Sequence, residues 1–185
     1  NLVLEGLMRK NELTGQERAF CTALFYGVVE RRITLDWVLG RYSRQPVEKL
    51  SPAVRDILRM AVYQLLYMPS IPERAAVNEA VEMAKVHKLS RAAGLLNAVL
   101  RNVDRRRGEP LAFADELEAL SVQTSHPRAL VERMVGLLGA EEAEAFLRAD
   151  NEPVPTTIQT NTLKTTAKQL RASLEDEGVT VEPHP

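Results

Sequence analysis

The chain has 185 residues, 45% hydrophobic and 26% charged, with a formal net charge of −1, which is ordinary for a soluble globular protein of one domain or a domain and part of another. One cysteine, Cys21, rules out an internal disulfide and any multi-cysteine metal site, and it fits a reducing cytoplasm. No apolar run reaches the roughly 18 to 20 residues of a membrane span, since Gln64 interrupts the best candidate, "MAVYQLLYM", and no signal peptide opens the chain.

The small net charge hides an asymmetry. Residues 1 to 110 hold 18 Lys+Arg against 12 Asp+Glu, net +6, while residues 111 to 185 hold 6 against 13, net −7. A basic half joined to an acidic half points to two units with different partners.

In chain order, "NLVLEGLMRK" enters directly on apolar helical spacing, with no initiator Met, as the interior of a longer chain does. "ELTGQERAFCTALFYGVVERR" offers a capping box, Thr14 with Glu17, and an apolar face of Ala19, Phe20, Ala23, Leu24, Phe25 and Val28. "ITLDWVLGRY" places Ile33, Trp37, Val38 and Tyr42 on one side. Ser51 as N-cap and Pro52 as first helical residue open the next helix, whose wide stripe of Val54, Ile57, Leu58, Ala61, Val62, Leu65 and Leu66 predicts the central packing helix. Pro72 begins another, with Ala76, Val77, Ala80, Val81 and Ala84 inward, and Ser90 is placed to cap the helix that follows.

That last helix, "SRAAGLLNAVLRNVDRRRG", sets Ala92, Leu96, Val99, Leu100 and Val103 on one face and Asn97, Arg101 and Arg105 on the opposite side, with Arg106 and Arg107 at its end. Helix-dipole complementarity accounts for one or two basic residues at a C-terminus, but poorly for four arginines in seven positions. Up to residue 108 the pattern predicts an all-α bundle of about six helices. Two helices follow in "FADELEALSVQTS" and "PRALVERMVGLL", the second started by Pro127 and ended by Gly139, and a third in "AEEAEAFLRAD". After "NEPVP" a strand is expected around residues 156 to 161, then a helix stopped by Gly178, then a second strand in "VTVEP". This partial β-α-β unit leaves strand edges open, a route to self-association.

No catalytic centre emerges. Cys21 sits on helical spacing between Phe20 and Leu24, as a structural thiol does. His87, His126 and His184 are far apart, and no Gly-rich phosphate loop exists. "TSHPRA" sets Ser125 beside His126, a poor geometry for a nucleophile and its base. The chemistry on offer is phosphate binding. Lys85, Lys88 and Arg91 flank the turn before the arginine-rich helix, and Arg101, Arg105, Arg106 and Arg107 lie toward its far end. In a helical hairpin these two groups fall at opposite ends.

The stretches "KLSPAVRDILRMAVYQLLYMPSIPERAAVNEAVEMAK" and "RAAGLLNAVLRNVDR", with "ERAFCTALFYGVVERRITLDWVL" upstream, resemble the NusB-like domain at the N-terminus of bacterial rRNA cytosine-C5 methyltransferases of the Sun/RsmB type. "SHPRALVERMVGLLGAEEAEAFLRADNEPVPTTIQTNTLKTT" looks like that family's linker helices and the start of its ferredoxin-like subdomain. The resemblance implies a NusB-like RNA-binding domain at 1–108, a helical connector at 109–152, and the start of the ferredoxin-like subdomain at 153–185. It matches Asn161 and Lys164 of "QTNTLK" to RNA-contacting positions, while Ala129 and Gln159 stand where the family usually has Trp and often has Arg.

For the full-length protein the resemblance implies S-adenosylmethionine as methyl donor, small-subunit rRNA as substrate, and a cysteine thiolate attacking C6 of cytosine. Cys21 corresponds to neither family cysteine, so this chain alone is expected to be inactive, with no cofactor and no metal of its own. Two other readings stand beside it. One is a stand-alone NusB-type antitermination factor binding RNA and a ribosomal protein; the other is a helical protein–protein adaptor.

Overall fold

Helix starts in this chain are set by short-range chemistry. The computed structural model describes residues 2–152 and 156–183, and His184 and residues 153–155 lie outside it. Ten α-helices appear among the described residues: α1 (Leu2–Lys10), α2 (Gly15–Glu30), α3 (Arg32–Tyr42), α4 (Pro52–Tyr67), α5 (Glu73–Val86), α6 (Ala93–Arg105), α7 (Glu116–Thr124), α8 (Arg128–Leu138), α9 (Ala140–Ala149) and α10 (Ala167–Asp176). The fold is mainly α. By packing, the chain divides into two units, Asn1–Asn151 and Glu152–Pro185.

At the start of α2, Thr14 Oγ1 accepts from the Glu17 N–H (3.4 Å) and Glu17 Oε2 accepts from the Thr14 N–H (2.7 Å), the reciprocal pair expected from the sequence. Ser51 does occupy the N-cap of α4 and Pro52 its first position, but the Ser51 side chain makes no capping bond. Pro72 and Pro127 are N-caps, so α5 and α8 start one residue later than expected. Ser90 caps nothing. It opens a 3-10 turn (Ser90–Ala92), and α6 begins at Ala93.

The core of the first unit is built around α4, whose Val54, Ile57, Leu58, Ala61, Val62 and Leu65 are buried against Ala76, Val77, Ala80 and Ala84 of α5 and Leu96, Val99, Leu100 and Val103 of α6. Leu35, Val38 and Leu39 of α3 complete it, with Val47 and Leu50 from the 3-10 turn before α4. The centre of α3's buried face is therefore Thr34, Leu35, Val38 and Leu39, rotated from the Ile33/Trp37 side expected.

α2 also departs from expectation. Of its residues only Gly27 is buried, while Phe20 and Phe25 are 37% and 42% exposed. The helix meets α4 through its glycine, because the Tyr63 ring occupies the space a Cβ at Gly27 would need. Tyr63 in turn stacks on Tyr67 (centroids 5.2 Å apart), and the Arg31 guanidinium lies 5.7 Å from the Tyr67 ring centre.

Helices α7 to α9 belong to the same unit as the bundle. The N-terminus of α3 lacks a local side-chain cap and is capped from far along the chain: the Ile33 N–H donates to Ser125 Oγ at 3.2 Å. The Thr34 hydroxyl donates to the Val122 carbonyl, and the Asn151 amide donates to the Thr124 carbonyl at 2.7 Å. Ser125 holds a left-handed backbone (φ 58°) to do this. The C-terminus of α7 thus abuts the N-terminus of α3, an arrangement helix dipoles favour. Trp37 packs against Phe113 (centroids 4.9 Å apart), fixing the connector to α3.

In the second unit α10 starts with a capping box, Thr166 with Gln169, and stops at Gly178 (φ 83°), where the Val179 N–H reaches the Leu174 carbonyl and the Gly178 N–H the Glu175 carbonyl. The strands expected at 156–161 and 179–183 are not formed among the described residues. In a split β-α-β unit the two parallel strands are not neighbours, since another strand lies between them, and none of the described residues supplies it. The open strand edges expected to carry self-association are accordingly absent there.

Candidate nucleic-acid interface

α5 and α6 run antiparallel, and the far end of the pair is fastened by Arg107. Its Nη1 donates to the Leu65 carbonyl at the end of α4 (2.8 Å) and its Nη2 to Glu73 Oε1 at the start of α5 (2.9 Å). The Glu73 carboxyl is held below the usual carboxylate range, first by its own backbone N–H and then by Arg107. One pole of the bundle therefore gathers the C-termini of α4 and α6 and the N-terminus of α5. Arg105 ends α6, Arg106 is its C-cap, and the Arg106 side chain stands 3.9 Å from Glu109. Lys85, Lys88 and Arg91 lie at the other pole, about 20 Å away by the length of α6.

The basic residues differ sharply in how far they are engaged. Lys85 pairs with Glu82 one turn back, an exposed pair worth little. Lys88 occupies the left-handed region (φ 60°) just beyond α5, with the Leu89 N–H reaching the Ala84 carbonyl around it. Arg91 is exposed on the 3-10 turn. Arg101 is exposed on α6, its Nε donating to Asn97 Oδ1 at 3.0 Å, so the asparagine expected on this ridge orients the arginine. Arg91 and Arg105 make no hydrogen bond or ion pair among the described residues. Arg107, by contrast, is committed to holding three helix ends.

Other arginines are also occupied. Arg59 makes a two-pronged contact with Asp36 (2.7 Å on both arms) and a third with Asp56 (3.0 Å), joining α3 to α4. Arg41 lies over the Trp37 ring at 5.1 Å, and Arg31 pairs with Glu30. Sequence reasoning passed over Arg74. It is exposed beside Glu73, and the Arg107 link brings it to the pole of Arg105 and Arg106. Only the pairing of α5 with α6 reveals that neighbourhood.

In the second unit, Asn161 Oδ1 accepts from the Leu163 N–H (3.1 Å) and its carbonyl from the Lys164 N–H (2.9 Å), a side-chain-stabilised turn that leaves Lys164 exposed beside Leu163, itself 96% exposed. Ser125 and His126 do not face each other as a catalytic pair: Ser125 caps α3, and the His126 ring is 3.1 Å from Asp150 Oδ2. Among the described residues no group of three or more His, Cys, Asp or Glu side chains could hold a metal, and no helix is long and apolar enough to cross a membrane.

A helical bundle with one core, a helix that turns exposed arginines away from that core and a helical connector packed on α3 define an all-α module with a basic ridge. The chain belongs to the NusB family, whose family model matches residues 1–105. Residues 126–185 match a second model, described as Methyltr_RsmF/B-like, ferredoxin-like domain.

Relatives are similar over almost the whole chain. "Probable ribosomal RNA small subunit methyltransferase B" of Bacillus subtilis (strain 168) is 36% identical over 98% of this chain and 41% of its own length. The protein of the same name from Synechocystis sp. is 30% identical over 97% and 41%. "Ribosomal RNA small subunit methyltransferase B" of Escherichia coli O1:K1 / APEC is 28% identical over 95% and 40%. The chain spans about two fifths of the length of these curated relatives. A crystal structure of PH0851 superposes with a TM-score of 0.73 at 23% identity, covering 97% of this chain and 41% of that one, a likeness of fold.

Proposed function

We propose that this chain is the RNA-binding N-terminal part of an S-adenosylmethionine-dependent rRNA (cytosine-C5) methyltransferase acting on small-subunit rRNA in the cytoplasm. The observation that carries the reading is similarity to proteins named small-subunit rRNA methyltransferases that runs unbroken through the helical bundle and the ferredoxin-like segment. A stand-alone NusB-type factor would account for residues 1–105 and leave 126–185 without a role.

In this reading 1–108 docks RNA, 109–152 connects, and 153–185 begins the subdomain that leads to the catalytic machinery. Lys85, Lys88, Arg91, Arg101, Arg105 and Arg106 supply phosphate contacts, Asn161 and Lys164 a second set, and Arg107 holds the bundle's end in shape. S-adenosylmethionine belongs to the whole protein.

The test is binding of the purified chain to a small-subunit rRNA hairpin at several salt concentrations, with a methyl-transfer assay beside it. Affinity that falls steeply with salt, and no methyl transfer, is the expected result. Salt-insensitive binding, or none, refutes the docking role.

A further inference from the structure

We propose that the outer ridge of α6 is a seat for the sugar-phosphate backbone of a double-helical RNA stem, recognised by shape and not by sequence. The inference rests on the RNA-binding reading above and adds which form of RNA the ridge takes.

At 100° per residue, Gly94, Ala98, Arg101 and Arg105 fall within an arc of about 60° on the side of α6 opposite the buried Leu96, Val99, Leu100 and Val103. All four are exposed. They span about 16 Å along the axis, and Arg91 stands exposed just ahead of them. No carboxylate lies on this ridge. The single acidic residue of α6, Asp104, is about a quarter turn round the helix and half-buried.

The arginines are presented, not consumed. Asn97 holds Arg101 by Nε alone, which orients the guanidinium while its two terminal nitrogens make no bond among the described residues. That is the fork which grips phosphate oxygens in pairs. Between Arg91 and Arg101 the ridge is low: a Cβ at Gly94 would meet nothing within 4 Å, and Ala98 adds one methyl group. A broad rigid ligand can therefore lie along the helix.

Single-stranded RNA is held by stacking unpaired bases on aromatic rings, whereas duplex RNA is held through backbone and shape. α6 carries no aromatic residue at all. The exposed aromatic pair of the bundle, Phe25 and Tyr26, is on α2. A straight ridge of arginines without rings has what a duplex backbone needs and lacks what splayed bases need.

The experiment measures binding of the 185-residue chain by fluorescence anisotropy to a 16-base-pair RNA duplex, a second duplex of scrambled sequence, and one strand alone, at three salt concentrations. The expected result is a duplex preference of about tenfold or more, equal affinity for the two duplexes within about twofold, and a salt slope that falls by about 2 in the R101E/R105E variant. Gly94→Leu tests the low relief: space is open there and leucine suits a helix, so folding is retained while duplex affinity falls about tenfold. Single-strand binding as tight as duplex binding, or variants that bind duplex like the parent chain, overturns the inference and leaves RNA binding standing. Failure of the parent chain to bind any of the three RNAs overturns the RNA-binding reading and this inference with it.

Discussion

Gly27→Ala is the sharpest test of how the bundle is held together. Gly27 is the buried residue of α2, and a Cβ there would overlap Cζ and Oη of Tyr63 on α4. The Tyr63 ring cannot swing away freely, since it stacks on Tyr67 at 5.2 Å and Tyr67 sits under Arg31. Forcing one methyl group into such a contact costs about 1 to 3 kcal/mol. Loss of the stack adds up to about 1.5 kcal/mol, and the helix preference of alanine over glycine returns about 1. The net expectation is destabilisation by about 2 kcal/mol, or a fall in Tm of about 4 to 8 °C for a unit of this size.

Urea unfolding followed through Trp37, the single tryptophan, reads this directly because Trp37 is packed within the same unit. The control is the same substitution in a Tyr63→Ala background. With the ring gone the added methyl group has room, so Gly27→Ala turns from destabilising to neutral or stabilising by up to about 1 kcal/mol. If it costs the same in both backgrounds, or nothing in the parent chain, the close α2–α4 approach through Gly27 is wrong.

Lys88→Gly relieves a left-handed backbone and raises stability by about 1 kcal/mol while weakening RNA binding; Glu12→Gly, with the same strain (φ 52°), stabilises without touching binding. Equal loss of binding in both would remove Lys88 from the contact set. Arg107→Ala lowers stability by about 1 kcal/mol, discounted for the exposure of its pair with Glu73, and Arg107→Lys does not restore it because the single ammonium nitrogen lacks the planar fork whose two terminal nitrogens each meet one acceptor. RNA affinity measured well below the transition changes less than about twofold for Arg107→Ala, in contrast to R101E/R105E; a large loss would mean Arg107 reaches RNA after all. Burial pushes the Tyr63 and Tyr67 hydroxyls above their usual range, so the folded state holds those protons more tightly. Their contribution is intact below pH of about 10 and is lost as pH rises beyond it, and Tyr63→Phe with Tyr67→Phe flattens that alkaline decline in urea midpoints.

What could be read from the sequence was local. The Thr14–Glu17 box, Pro52 at a first helical position, Gly178 at a helix stop and the stripe of α4 each depend on residues within a few positions of one another. What could not be read depends on distant partners. Ile33 is capped by Ser125, 92 residues away, and Arg107 meets Leu65 across 42. The α2 face was misjudged because bulk predicts burial only when nothing smaller permits a closer approach, and Gly27 does. The arginines of "RNVDRRRG" read alike in the sequence, yet packing separates Arg107, which is spent on helix ends, from Arg101 and Arg105, which are left outward.

The charge asymmetry acquires a physical sense from the same pairing pattern. The acidic helices α7 to α9 belong to one unit with the basic bundle, but their carboxylates are used at home: Asp115 and Glu132 on Arg128, Glu144 on Arg148. The Asp115 carboxyl is held below its usual range, first by Arg128 and then by the Glu118 N–H. Glu141 and Glu142 open α9 without basic partners among the described residues and are stabilised by the helix dipole. A polyanion within about 8 to 10 Å of that connector is repelled, while the α6 ridge attracts it over the same range. The unit thus carries opposite signs that do not cancel each other, and in the proposed reading an RNA finds a favourable seat on the bundle and none on the connector.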